Sequence, residues 1–167
     1  MNPRERRLTA ENDALRAEFT DHPSITVVPI GWHPADQYRV TYRVPGVALD
    51  ANSQPVVTEE HVALVRLGER YPRARPTVVM ETAVFHPNFG PNPGDEVAYL
   101  GDTWSAARTI SDVIVTVGEM IQFQAYDVQT PLNGVAAQWV IANPSIFPIG
   151  QVILRRAQPP VGEQREG

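Results

Sequence analysis

Between Phe85 and Thr109 the chain carries Pro87, Pro91 and Pro93 together with Gly90, Gly94 and Gly101, a punctuation that neither a helix nor a paired strand tolerates. Irregular runs of about two dozen residues are uncommon inside a compact domain and usually carry function. Regular pattern resumes on both sides. Val78, Val79 and Met80 supply a short strand before it. After it, Ile110, Val113, Ile114, Val117, Met120 and Ile121 fall on one helical stripe. Ser111 is the expected cap of that helix, with Asp112 in the first turn, where negative charge is favoured. Any fold this chain adopts must therefore hold a long non-repeating segment between a strand and a buried helix.

Upstream, the spacing predicts a helix over Pro3–Phe19, with Leu8, Leu15 and Phe19 on its inner stripe and Arg4, Arg7, Glu11 and Glu18 outside it. Three strand signals follow. Ile25–Val28 is short and β-branched, Tyr38, Val40, Tyr42 and Val44 alternate with polar residues in period two, and His61–Leu67 repeats that pattern more weakly. Val47 to Glu60, with Asp50, Asn52, Ser53 and Pro55, reads as a long loop. An antiparallel meander with one face on the helix gives an α+β class. Downstream, Asn133 is expected to start a short helix that Asn143-Pro144 stops.

A length of 167 residues suits one domain. No apolar run approaches the roughly 18 residues needed to cross a bilayer, and the first residues lead into charge rather than a signal-like apolar region. A cytoplasmic location and no membrane partner are expected. With no cysteine, disulfides and thiolate chemistry by this chain are excluded, and His22, His33, His61 and His86 lack metal-ligand spacing. No metal or cofactor is expected. A net charge of −5 without a basic run argues against nucleic acid. All 14 basic residues are arginine. That is what a GC-rich, bacterial coding sequence produces. It would also leave a chain that handles activated acyl groups with no side-chain amine of its own to modify.

Taken in order, Tyr71-Pro72 with Pro76, His86-Pro87-Asn88, Val97-Ala98-Tyr99-Leu100, Trp104-Ser105, the apolar helix and Pro131-Leu132-Asn133 resemble the core of the ubiquitin-conjugating enzymes. The resemblance implies a UBC-like fold over residues 3–148: an N-terminal helix, a four-stranded antiparallel meander, an irregular active-site stretch and two further helices. Residues 149–167 would form an extension, its apolar part against the body or a partner and its polar tail disordered. The implied reaction accepts a ubiquitin-like modifier from an activating enzyme as a cysteine thioester and passes it to an amine.

Where that family has its reactive cysteine, this chain has Ala98. An ungapped match from His86 would select Glu96, but a charge there breaks the apolar run. Two extra residues in the preceding loop restore it at Ala98, at little cost. By the same resemblance, Asn88 is the oxyanion donor or holds the loop that provides it, and His86 and Pro87 are structural, as are Tyr71, Pro72 and Trp104. Asp127 could replace an acidic residue that the family often places where Thr130 stands. Arg4, Arg6 and Arg7 would meet the activating enzyme. Arg73 after the Tyr-Pro pair, and Ala106 in place of a proline after Ser105, argue against docking of a RING ligase.

Two readings stay open at position 98. One is a conjugating enzyme whose cysteine has been exchanged for alanine, favoured by the intact Asn88, Trp104 and Pro131-Leu132-Asn133. The other is a natural cysteine-free variant that binds a modifier without reacting. A domain sharing only the fold is a third.

Overall fold

A computed structural model describes residues 1–101 and 103–155; the expected disordered tail lies outside them. Helix α1, Pro3–Phe19, is closed at its start by a reciprocal pair: Asn2 Oδ1 accepts from Glu5 N–H, and the Glu5 carboxylate accepts from Asn2 N–H. Leu8, Leu15 and Phe19 are buried as their spacing requires. Glu11, expected outside that stripe, is buried as well. It sits three residues after Leu8 and four before Leu15, so helical geometry turns it inward. Three donors then make the burial tolerable: the Tyr71 hydroxyl (2.8 Å), Ile110 N–H (3.2 Å) and Arg7 Nε (3.0 Å).

Strands β1 (Ile25–Ile30), β2 (Gln37–Tyr42), β5 (His61–Arg66) and β6 (Thr77–Met80) form one antiparallel sheet in that spatial order. The register pairs Val27 with Val40, Val40 with Ala63, and Ala63 with Met80. Tyr38, Val40 and Tyr42 face the core, confirming the alternation. The expected loop over residues 47–60 is instead a second, two-stranded sheet: β3 (Gly46–Leu49) pairs with β4 (Pro55–Thr58). Only the five residues between them turn the chain. There the Asp50 carboxylate accepts from Asn52 and Gln54 N–H, and Ser53 takes a φ of 58°.

Helix α2, Ile110–Ile121, carries the expected stripe, all of it fully buried. Its cap is Thr109 rather than Ser111: Thr109 is extended and its hydroxyl accepts from Asp112 N–H at 3.1 Å. Ser111 already lies inside the helix, where a side chain cannot reach the exposed amides of the first turn. Tyr42 crosses from the sheet to donate its hydroxyl to Ile114 O (2.7 Å). Helix α3, Gly134–Ala142, is capped by Asn133 as expected.

The chain then runs back along α2. Gln122 holds this strap at both ends of its amide: Oε1 accepts from Val152 N–H and Nε2 donates to Val152 O. Leu154 enters the main core, so the packed unit extends past Pro148. Among the described residues no helix is long and apolar enough to cross a membrane.

Candidate active site

The irregular stretch runs along the edge of the sheet up to residue 98. Val97 is buried and donates its N–H to Val78 O (2.8 Å), which docks the stretch on β6. The next residue, Ala98, is half-buried, and its N–H donates to Asn88 O (2.9 Å). Position 98 therefore lies beside the Asn88 backbone at the protein surface, on a segment fixed from both sides.

The His86-Pro87-Asn88 tripeptide is rigid for visible reasons. His86 is fully buried, and its Nδ1 accepts from Asn88 N–H (2.9 Å), which leaves the proton on Nε2. Burial pushes its pKa down to about 3, only partly opposed by the nearby carbonyls of Ala125 and Met120. The ring lies edge-on to Phe89 (4.8 Å) and tilted against Phe123 (4.4 Å). Pro87 O accepts from both Leu132 and Asn133 N–H, tying the tripeptide to the Pro131-Leu132-Asn133 mark.

Asn88 itself is 2% exposed, and its side chain is already used. Oδ1 accepts from Asp127 N–H at 2.8 Å, and Nδ2 donates to Asp127 O at 2.9 Å. The Asn88 amide therefore clamps the Asp127 backbone. Asp127 turns its own carboxylate onto the following residues, Oδ1 to Gln129 N–H and Oδ2 to the Thr130 hydroxyl, both at 2.8 Å. Those bonds, the Gln129 amide first, hold its pKa below the ordinary carboxylate value.

On the other side of residue 98, Tyr99 donates its hydroxyl to Pro76 O (2.9 Å). Trp104 Nε1 donates to Pro72 O (2.9 Å), with the Tyr71 and Trp104 rings 6.0 Å apart. Tyr71, Pro72 and Trp104 thus form one structural wall.

The three arginines of α1 separate. Arg6 is exposed and donates to Met1 O. Arg4 donates to Leu67 O and Gly68 O. Arg7 turns inward to Glu11, the Tyr71 hydroxyl, and the carbonyls of Ala106 and Arg108. The structure thus spends Arg7 on the segment leading into α2.

Spacing alone gave no notice of Glu11 and Arg7 as a joint between α1 and the site. Phe123 was also missed: it ends α2 at a φ of 59°, unusual for an aromatic residue, and is held there among His86, Trp139 and Phe147. Among the described residues no grouping of His, Cys, Asp or Glu could hold a metal.

The sequence profile described as ubiquitin-conjugating enzyme matches residues 57–148. A solved structure titled "Novel Ubiquitin-Conjugating Enzyme" is similar in fold, with a TM-score of 0.61 at 20% identity, over 86% of this chain and 88% of that one.

Proposed function

Because this chain belongs to the ubiquitin-conjugating enzyme family, we propose that residue 98 is its thioester position, and that with alanine there the chain holds a ubiquitin-like modifier without bonding to it. One observation carries this reading. The half-buried Ala98 sits against the Asn88 backbone, and the next residue, Tyr99, is bonded to Pro76 O of the Tyr71–Pro76 turn. A sulfur on that β-carbon would stand where the family chemistry needs a nucleophile.

With cysteine at 98, the thiolate would attack the thioester carbonyl of a charged activating enzyme. That enzyme's sulfur would leave, and the modifier would then pass to an amine. Asn88 would serve by fixing the Asp127 turn, and Asp127 would face the acceptor. Arg6 and Arg4 would be the docking contacts on α1. The exposed Arg73 supports a surface that does not take a RING ligase in the usual way.

The test uses Ala98→Cys with an activating enzyme, ATP and a ubiquitin-like protein. A reductant-sensitive adduct is expected for the variant and none for the parent. No adduct, while the activating enzyme itself becomes charged, removes the conjugating reading.

A second reading, a cysteine-free module that binds a modifier, draws support from Asp127. Its carboxylate is engaged by Gln129 and Thr130, which leaves less of it to draw in an acceptor amine. Modifier binding by the parent chain at the residue 98 surface, followed by NMR shifts, together with no adduct on Ala98→Cys while the activating enzyme is charged, would support this reading. Absence of binding would count against it.

A further inference from the structure

The cations around residue 98 are all of one chemical kind. The Arg75 and Arg108 guanidinium groups lie over the ring of Tyr99, 5.7 and 5.6 Å from its centroid. Tyr99 follows Ala98 directly and is pinned to Pro76 O. Arg73 is exposed on the same Tyr71–Pro76 turn. A guanidinium keeps its charge at any working pH, and its nitrogens share their lone pairs with the central carbon, so it does not attack an acyl carbon. A lysine ammonium in the same place would be an acceptor as soon as it lost a proton.

Resting on the reading of residue 98 as the carrier position, we propose that the arginine-bearing surface beside it, where Arg108 is paired with Asp112, is built to offer no acceptor to an acyl group held there. An acyl group held there would leave only to a primary amine on another molecule. In that transfer the external nitrogen attacks the thioester carbonyl, the carbon–sulfur bond breaks, sulfur leaves as thiolate and the amine proton goes to solvent. None of the arginines beside Tyr99 can take the first step, and the Tyr99 hydroxyl is held on Pro76 O. The hydroxyls of Thr103 and Ser105 border the Arg108 side and are the competing acceptors to be tested.

The experiment compares Ala98→Cys with the double variant Ala98→Cys/Arg75→Lys. The probe is ubiquitin carrying a small-thiol thioester at its C-terminus, which charges the introduced thiol by exchange and releases the small thiol. Ala98→Cys alone is expected to give only an adduct that reductant removes. Adding Arg75→Lys should convert it to a reductant-resistant amide at least about tenfold faster, because the new amine is intramolecular. A resistant product at comparable rate from Ala98→Cys alone overturns the proposal, whether an amide on any amine of the chain or a hydroxylamine-labile ester on Thr103 or Ser105. So does no gain from Arg75→Lys.

A second arm dispenses with the modifier: a short maleimide–succinimidyl ester is attached to the introduced thiol and intramolecular closure is read by intact mass. Closure only with Arg75→Lys supports the proposal, and closure without it overturns it. If thiol exchange fails in both proteins while this arm behaves as expected, the carrier reading falls and the unreactive surface stands.

Discussion

The sharpest test of how the site is held is Asn88→Asp. In the parent, one amide makes two bonds to the Asp127 backbone, Oδ1 from N–H and Nδ2 to C=O, with the side chain 2% exposed. An aspartate at 88 keeps the first bond and replaces the second donor by an oxygen facing the Asp127 carbonyl. The lost bond and the unpaired buried oxygens together cost about 2–4 kcal/mol at pH 7. In a domain of this size, that lowers Tm by roughly 5–15 °C.

The deficit has a predicted pH dependence. A protonated carboxyl at 88 could donate to Asp127 O and restore the clamp, so folding raises this group's pKa above about 3.9. The restored stability is therefore fully present below about 3.9 and is lost as pH rises through the raised folded value. Asn88→Ala lacks that behaviour. Thermal and urea melts of parent and both variants from pH 4 to 8, read as differences from the parent, decide it. If Asn88→Asp melts within about 1 °C of the parent at pH 7, or its deficit does not change with pH, the clamp is wrong.

Burial lowers the pKa of His86, to about 3, and that of His61. Both therefore stabilise the fold fully above about 6.5 and less as pH falls toward their folded values, by up to about 1.4 kcal/mol per pH unit for His86. Urea melts that stay flat between pH 7 and 4 would contradict this. Leu154→Ala should cost about 2–5 kcal/mol, since its side chain fills the main core; an unchanged urea midpoint would detach the strap from the fold. Arg7→Ala should cost about 3 kcal/mol by leaving the buried Glu11 carboxylate with fewer donors. Arg6→Ala should stay within about 0.5 kcal/mol, and equal midpoints for the two would return Arg7 to the surface.

What could be read from the sequence was what repeats. Tyr38, Val40 and Tyr42 announced β2 through period two, and the stripe from Ile110 to Ile121 announced α2 through period 3.6, because burial on one face imposes those spacings. The β3–β4 hairpin escaped because Asp50, Asn52 and Ser53 advertise a turn more loudly than four-residue strands advertise themselves. The cap moved from Ser111 to Thr109 because either residue type can cap, and only the backbone decides which one is extended. Within the site, the tripeptide and its neighbours were visible as a run of marks. The direction of the Asn88 amide was not, since its partner is the backbone of Asp127, 39 residues away, and a backbone partner leaves no trace in residue type.

The same blindness explains Arg7. As a string, Arg4, Arg6 and Arg7 are equivalent cations on a surface helix. In the fold, Glu11 faces inward, and one nearby arginine must follow it to balance a buried carboxylate. Arg7, four residues earlier, is placed to do so. Once inside, its remaining donors meet the carbonyls of Ala106 and Arg108, in the segment between Trp104 and α2. Helix α1 is thereby joined to the wall of the candidate site through the buried Glu11 bonds to Tyr71 and Ile110 and the partly exposed Arg7 bonds, as well as apolar contact. Of the three arginines, Arg6 is the exposed one, and a change that disturbs α1 would also disturb the Trp104–Thr109 segment that the helix holds in place.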